Sequence, residues 1–283
     1  MNPTLTIAAL TIKESVRRRL LLAFIAITLV IVGLSAWGFD RLSHTSRLTS
    51  GESHVAVPQA LILFMFMFSF VLALSASAIA SPAISSEIES GVLMTIVTRP
   101  VRRTEVLLGK WLGLAALLAG YAAGVCLLEF AVVYWVSGDV PPSPVLVGVY
   151  LFAEGALLLT LALLLSTRMP AIAAGVIGIA VFGAGWLAGV VGALGSNLNI
   201  AALRTVGEVG RFVLPTDGLW HAVIYYLEPP TYVTQTLGGL AESHGGNPFF
   251  SAAGPAWPYL VWAALWFVIV LGLGLVSFQR REL

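Results

Sequence analysis

Charged side chains are scarce in this chain of 283 residues. Lysine and arginine together number 15, aspartate and glutamate number 14, and 58% of the residues are hydrophobic. A soluble domain is about a quarter charged and about half apolar. The composition therefore excludes an ordinary soluble globular protein and predicts a chain that lies largely inside a membrane. Its net charge of +1 gives no reason to expect a nucleic-acid partner.

Disulfides, metal motifs and nucleotide motifs are also missing. Cys126 is the single cysteine, which excludes a disulfide within the chain. Trp111 follows the Gly109-Lys110 pair, so the chain lacks the Gly-x4-Gly-Lys-Ser/Thr loop that binds ATP phosphates. The histidines do not have the close spacing of metal ligands: they are His44, His54, His221 and His244. We therefore expect no metal site, no cofactor bound by this chain and no ATPase activity of its own.

Six long apolar runs are present, at about 20–38, 59–81, 107–136, 145–166, 171–194 and 258–277. A helix needs about 20 mostly apolar residues to cross a bilayer. We therefore predict an all-α polytopic membrane protein, with residues 1–283 forming a single transmembrane domain of six spans. A signal peptide is the alternative for the first run, but a long helix-like segment precedes it and no clean small-x-small cleavage site follows it.

Positive charge is unevenly distributed between the predicted loops. With the N terminus in the cytoplasm, eleven of the 15 lysine and arginine residues fall in cytoplasmic segments and four in external ones. This bias follows the positive-inside rule. We predict that both termini are cytoplasmic.

The residues before the first run predict an amphipathic helix on the inner membrane surface. Leu5, Ala8, Ala9, Ile12 and Val16 recur at helical spacing, and charged residues fall between them. Such a helix lies against lipid, and nearby basic residues add attraction to anionic headgroups. Ordinary basic flanking of the first span is the alternative. We expect membrane lipid to contact this segment.

The segment 82–106 is charged and lies between two apolar runs. Its sequence at 85–105 is "SSEIESGVLMTIVTRPVRRTE". Pro82 is suited to start a short helix, and Gly91 interrupts it. The Arg99-Pro100 step ends it, because a residue before proline is pushed out of helical geometry. The charged ends around an apolar middle favour docking into a groove of a soluble partner, and a solvated loop is the alternative.

The stretch 84–113 resembles the segment between the second and third spans of type-2 (ABC-2 type) ABC transporter permeases. "ALTIKESVRRR", at 9–19, resembles the N-terminal elbow helix of that family. "LPTDGLWHAVIYYLEP", at 214–229, resembles a stretch in the branch that includes the membrane subunit of the nitrous oxide reductase maturation transporter. The matching positions of 84–113 are Glu87, Glu89, Gly91, Arg99, Pro100, Arg103, Glu105, Gly109 and Lys110.

The resemblance implies a membrane subunit with the type V ABC exporter fold in the cytoplasmic membrane of a prokaryote. It implies a pair of such subunits, the second being another copy or a related permease. It also implies a separate ATPase subunit that binds ATP and Mg. The segment 82–106 would then be the coupling helix that docks on this ATPase, through Glu87, Glu89, Gly91, Arg99, Pro100, Arg103 and Glu105.

Two acids lie within predicted spans. Glu129 is in the third span and Glu154 is in the fourth, each about 10–14 Å from the external end. An ionisable residue inside a membrane is a candidate functional residue. Because a tight turn joins the two spans, the acids are candidates to face one another, share a proton and line the translocation route. Packing against a neighbouring span is the alternative.

The predicted external loop, residues 195–257, is too long for a simple connector. Two short helices are predicted in it, and large apolar patches usually mark contacts. We predict that these helices lie at the outer interface and close the central route of a dimer, and that they are also a candidate docking face for an external protein. A fixed structural plug is the alternative. The gate candidates are Phe212, Trp220, Tyr225 and Tyr226.

Three classes of function fit a chain of this kind: an ABC permease, a proton-coupled carrier or channel that uses Glu129 and Glu154, and an intramembrane enzyme. The carrier lacks the repeated halves and paired broken helices of many transporters. The enzyme lacks a catalytic constellation within the spans. We therefore favour the permease of an exporter, with the proton-coupled carrier as the alternative.

Overall fold

The computed structural model describes residues 2–17, 19–44, 50–89, 102–138, 140–228, 249–251 and 253–281. Within these ranges the chain forms α-helices and no strand. The helices are α1 (Pro3–Val16), α2 (Arg19–His44), α3 (Ser50–Ala80), α4 (Pro82–Glu89), α5 (Arg103–Ser137), α6 (Pro144–Ser166), α7 (Ala171–Asn197), α8 (Ala201–Val213), α9 (Thr216–Leu227) and α10 (Trp257–Gln279).

Six segments of the described chain are long and apolar enough to cross a membrane. They are Arg19–Leu42, Pro58–Glu89, Arg103–Val136, Pro144–Ser166, Ala171–Asn197 and Trp257–Gln279. The predicted fold class, an all-α polytopic membrane protein with six spans, is confirmed.

The N-terminal helix α1 and the end of the C-terminal helix α10 both contact α5 near its start, so they lie at the same end of the bundle. The guanidinium of Arg103, at the start of α5, donates to the carbonyl oxygens of Phe278 (3.5 Å) and Gln279 (3.0 Å) in α10. At the same end, α1 packs across the first turns of α5. We call this end the terminal face, and the end that carries the α5–α6 turn the opposite face.

Helices α3 and α6 form the centre of the bundle. In each of them 56% of the most apolar stretch is buried, against 17% in α2 and 22% in α7 and α10. Leu151 and Leu158 of α6 are buried, as are Phe68 and Leu72 of α3. The peripheral helices keep many apolar side chains exposed, as expected where the surface faces lipid.

Two glycines of α5 allow α1 to lie directly on it. A Cβ atom at Gly109 would lie 2.7 Å from the Cβ of Ile7, and one at Gly113 would lie 2.6 Å from the carbonyl oxygen of Ala8. Such distances are too short for any other residue at the two positions. The Gly-x3-Gly spacing, known from close helix packing in membranes, here joins α1 to the third span.

The face of α1 that contacts the protein is formed by small residues. Ala8, Thr11 and Ser15 are buried, whereas Leu5 and Val16 are 62% and 50% exposed. The predicted apolar stripe is therefore split, because Ala8 faces the bundle and the larger apolar residues remain outside. This arrangement leaves the larger side chains available to lipid.

The chain after α7 differs from the predicted external loop, because α8 folds back along α7. Gly207 lies against Gly192, where a Cβ at either position would come within 2.7 Å of the other backbone. Gly210 lies against Ala188. Without side chains at these glycines, the two helices approach more closely than branched residues would allow.

The turn after α8 lies beside the middle of α7, far from the C-terminal end of that helix. Leu214 and Thr216 contact the position of Gly185, which precedes Asn197, the last residue of α7, by twelve residues. Twelve residues of helix correspond to roughly 18 Å. Helices α8 and α9 therefore form a re-entrant hairpin within the predicted loop 195–257. Its turn is the hairpin tip, which we define as residues 211–217.

Helix α9 returns toward the opposite face through the bundle interior. It packs against α3, α6 and α7. Leu219, Trp220, Val223, Ile224 and Leu227 are all buried. Trp220, one of the residues that predicted a helix at the outer interface, is therefore a core residue of the bundle, as are these apolar neighbours on α9.

Candidate functional site

An ion pair ties α4 to α5 at the terminal face. The ammonium group of Lys110 donates to Glu87 Oε1 at 2.5 Å and to the carbonyl oxygen of Ala83 at 2.7 Å. The Lys110 side chain is 7% exposed and that of Glu87 is 20% exposed. Helix α4 continues the second span, so this contact joins the second span to the third.

Two further residues of the predicted coupling segment contact their own chain. Arg103 joins the start of α5 to the end of α10, as described above. Glu105 accepts a hydrogen bond from the backbone N–H of Arg102 at 2.8 Å and so satisfies one backbone donor at the start of α5. Both side chains hold the ends of spans in place.

Glu89 differs from these three candidates because it is exposed at the end of α4. The other candidates of the segment, Gly91, Arg99 and Pro100, lie outside the described residues. Within the described part of the segment, Glu89 is therefore the acidic candidate positioned to contact a partner.

Aromatic donors of α10 satisfy the backbone at the hairpin tip. A helix end leaves carbonyl groups unpaired, and at membrane depth the protein must supply their partners. Trp262 Nε1–H donates to the carbonyl oxygen of Phe212 at 3.0 Å, Trp266 Nε1–H to that of Val213 at 2.8 Å, and Tyr259 Oη–H to that of Pro215 at 2.9 Å.

A charged pair closes the hairpin tip. Arg211 Nε donates to Asp217 Oδ2 at 2.6 Å, and His221 Nδ1 lies 2.8 Å from the carbonyl oxygen of Asp217. The Asp217 side chain is 3% exposed, whereas that of Arg211 is 42% exposed. Gly189 of α7 provides the space for this carboxylate, because a Cβ there would collide with it.

Sequence comparison identifies the class of protein. The family model described as ABC-2 family transporter protein matches residues 5–283. The chain belongs to this family. No curated protein matches the chain in sequence.

Membership of the ABC-2 family makes the chain a permease, the membrane subunit of an ABC transporter, which is generally non-catalytic. The family implies an ABC ATPase as partner in general. The six apolar helices agree with a multi-pass membrane protein. The proton-coupled carrier is not favoured.

The two intramembrane acids of this ABC-2 permease have different partners. Glu129 Oε2 accepts from the hydroxyl of Ser35 in α2 at 2.9 Å. Glu154 Oε2 accepts from the hydroxyl of Ser69 in α3 at 2.8 Å. Asp217 lies close enough to Glu154 for their charges to interact. Each acid thus bonds to a different neighbouring span.

The register of α5 against α6 separates the two acids. A Cβ at Gly155 would lie 2.7 Å from Leu118, and one at Gly148 would lie 3.7 Å from Cys126. This register sets Glu129 level with residue 145, nine residues from Glu154, or roughly 14 Å along the helix axis. The structure therefore does not bring the two acids face to face, because α5 extends beyond the start of α6.

The four gate candidates occupy different environments. Trp220 is buried and its ring centroid lies 5.4 Å from that of Phe66. Tyr226 stacks on Tyr150 of α6, with ring centroids 5.5 Å apart. Tyr225 is 37% exposed. Trp220 and Tyr226 therefore fix α9 to the bundle.

Phe212 is the most exposed gate candidate. It is 60% exposed on α8 and stacks on Trp262 with ring centroids 4.2 Å apart. Among the four, Phe212 and Tyr225 are the side chains available to a second subunit or an external protein.

Glu228 follows α9 and is buried outside the six spans. Neither carboxylate oxygen has a hydrogen-bond partner within normal distance among the described residues. Burial raises the pKa of Glu228 to about 8, and the nearby backbone of Ser251 partly opposes this shift. The carboxyl group is therefore mostly protonated at neutral pH.

Sequence reasoning missed the roles of Lys110, Arg211 and Asp217. Lys110 was part of the family resemblance without a structural role. The sequence did contain a signal for Arg211 and Asp217. Gly189 forms a Gly-x3-Gly pair with Gly185, and such a pair marks close packing of helices in membranes. The packed element is α9 of the same chain.

Proposed function

We propose that this chain forms half of the transmembrane part of an ATP-driven exporter in the cytoplasmic membrane of a prokaryote. It pairs with a second copy or a related permease. A separate ATPase binds ATP and Mg and docks on residues 82–106, with Glu89 as a contact. Support for the permease role comes from the family match over residues 5–283.

The observation that carries the coupling proposal is the Lys110–Glu87 ion pair. It fixes α4 to α5, and Arg103 fixes α5 to α10. A force applied to α4 by an ATPase would therefore reach three spans together. A loop without such contacts would absorb the same movement.

The terminal face is the cytoplasmic face in this proposal. Its charged residues include Lys13, Arg17, Arg19, Arg103 and Arg168, in agreement with the positive-inside rule. The re-entrant hairpin then lies on the external side. An external protein, such as one handled by the nitrous oxide reductase maturation branch, would contact Phe212 and Tyr225.

We assign Glu154 to positioning the hairpin and Glu129 to joining α2 to α5. Glu154 bonds to α3 and lies near Asp217 at the hairpin tip. Glu129 bonds to Ser35 of α2. In this proposal movement of the spans reaches the outer gate through these contacts.

The test uses the permease reconstituted with its ATPase. Glu89→Ala should weaken binding of the ATPase at least fivefold and leave the melting temperature of the permease unchanged. Glu208→Ala, an exposed acid of α8, is the matched control and should have no effect. Lys110→Met should retain ATPase binding but lose transport driven by ATP.

Two results would contradict the proposal. Unchanged binding and transport in Glu89→Ala and Lys110→Met would exclude coupling through this segment. Transport that follows a proton gradient without any ATPase would favour the carrier instead.

A further inference from the structure

A narrow cavity of about 400 Å³ lies between α2, α3 and α5. It begins near Leu21 and Leu114 and extends along α5 to Leu128. The fourteen residue steps from Leu114 to Leu128 correspond to roughly 20 Å, more than half of the ~30 Å hydrocarbon core of a bilayer. We call it the lateral crevice.

The crevice opens sideways at the surface of the bundle. Ile25, Leu29 and Leu128 line it and are 42%, 57% and 45% exposed. These residues belong to spans, so the opening faces lipid. The crevice is therefore accessible from the membrane.

The hydroxyl groups in the crevice are already satisfied. Thr28 Oγ1 bonds to the carbonyl oxygen of Phe24 and to Tyr121 Oη, each at 2.8 Å. Ser75 Oγ donates to the carbonyl oxygen of Leu72 at 2.8 Å. The remaining lining is apolar, and water fills a cavity only where several polar partners are free. The occupant must itself be apolar along this length.

The dimensions fit one hydrocarbon chain. The empty space of about 1150 Å³, which includes the open mouth, spread over roughly 20 Å gives a cross-section of at most about 60 Å², whereas a helix about 10 Å across needs about 80 Å². Gly120 and Gly124 line the crevice, and a Cβ at either position would meet no atom within 4 Å. A helix of a second copy is therefore too wide for this space.

Positive charge surrounds the end of the crevice at the terminal face. Helix α1 crosses α5 at Gly113, one residue before the crevice begins. Lys13, Arg17 and Arg19 are exposed at this end, with Glu14 as the opposing charge. Basic side chains at a membrane surface attract anionic headgroups, at about 1 kcal/mol each.

From the shape, the lining and this charge, we propose that the lateral crevice binds one acyl chain of an anionic phospholipid, whose headgroup lies against Arg17 and Arg19. The lipid comes from the leaflet on the terminal face. It fills the space between α2 and α5 and joins α1 to both helices. This inference does not depend on the proposed coupling to an ATPase.

The test measures photocrosslinking of the full-length permease in nanodiscs that contain a phosphatidylglycerol with a diazirine in its acyl chain. We expect labelled peptides from 21–29 and 114–128. Gly120→Leu and Gly124→Leu fill the crevice and should reduce this labelling at least tenfold. Gly272→Leu is the matched control, because Gly272 in α10 also has open space, and its labelling should be unchanged.

The headgroup is tested separately with the Arg17→Gln/Arg19→Gln variant. In this variant the preference for phosphatidylglycerol over phosphatidylcholine should fall at least threefold, while labelling by the acyl chain persists. Melting temperatures equal to wild type show that each variant is folded.

Three outcomes would overturn the proposal. The first is equal labelling in Gly124→Leu and wild type. The second is equal labelling by the two lipids in the wild-type protein. The third is quantitative disulfide crosslinking of Gly124→Cys to a second copy, which would show that the partner subunit occupies the crevice.

Discussion

The terminal face and the hairpin tip each contain an ion pair with one buried member, and the buried member has the opposite sign at the two sites. At the terminal face the cation is more buried, with Lys110 at 7% and Glu87 at 20% exposure. At the tip the anion is more buried, with Asp217 at 3% and Arg211 at 42% exposure. The more exposed partner can gain water when its mate is removed, and the buried one cannot. The two sites should therefore respond differently to loss of the same kind of partner.

The largest effect is expected for Arg211→Ala at the hairpin tip. It leaves the Asp217 carboxylate buried without its cation, and loss of one partner from a buried pair destabilises by about 3–5 kcal/mol. The measurement is thermal unfolding followed with a thiol-reactive dye, because Cys126 is the single cysteine and is buried. Arg204→Ala is the control, since Arg204 bonds to Asn199 near the start of the same helix. An equal change in both variants would show that the ion pair has no special role.

A smaller effect is expected for Lys110→Met at the terminal face. Glu87 retains some access to water, so we expect a loss of about 2–3 kcal/mol in the free energy of unfolding. Lys13→Met, at an exposed position of α1, should change it by less than about 0.5 kcal/mol. A second change, Glu87→Leu, should recover part of the loss because it removes the acid that has lost the charge of Lys110. No recovery in the double variant would contradict the assigned pairing.

Trp266→Phe should cost about 1–2 kcal/mol, because it removes the N–H donor to the Val213 carbonyl at membrane depth and leaves that carbonyl unpaired. Trp257→Phe is the matched control, since Trp257 is 75% exposed at the start of the same helix. The same unfolding measurement applies. A loss in the control as large as that in Trp266→Phe would assign the effect to ring size.

The effect of Glu228→Gln depends on pH and is smallest in acid. The pKa of Glu228 in the folded protein is about 8, above the ordinary value of about 4.3. Between these values the folded state holds a proton that the unfolded state releases, so wild-type stability falls as pH rises through this window. Glu228→Gln should remove that contribution and be more stable than wild type at pH 8.5, by a difference that grows as pH rises from the acid range.

The same variant should match wild type at pH 3, where the carboxyl is almost fully protonated in both states. Melting curves at several pH values measure the difference. A constant difference across pH would show that titration of Glu228 does not cause it.

The six spans followed from sequence because each is a long apolar run, and length and hydropathy alone identify such segments. The re-entrant hairpin could not be predicted from length and hydropathy. Helices of this size are too short to span, and their position depends on close contact between the glycines of α7 and α8. The spacing of Gly185, Gly189 and Gly192 indicates that one face of α7 packs closely against another helix. It does not indicate which helix, because a local sequence pattern carries no information about contacts with distant parts of the chain.

The segment 82–106 was predicted to act as one docking surface, but its described acids lie in different environments. Glu87 and Glu89 are neighbours in sequence and both acidic. One is held by Lys110 from the next span, and the other is exposed. A salt bridge between residues 23 positions apart cannot be deduced from spacing, because it depends on how two spans meet.

The tryptophans that satisfy the hairpin tip belong to α10, which follows the hairpin in the chain. During synthesis, the carbonyls at 212–215 are therefore made before their donors at 259–266. Until α10 arrives, entry of the tip into the membrane would leave these groups unpaired. We expect residues 198–228 to wait at the membrane surface and to enter only after α10 has been inserted. The order of translation thus makes re-entry a late step in the assembly of this permease.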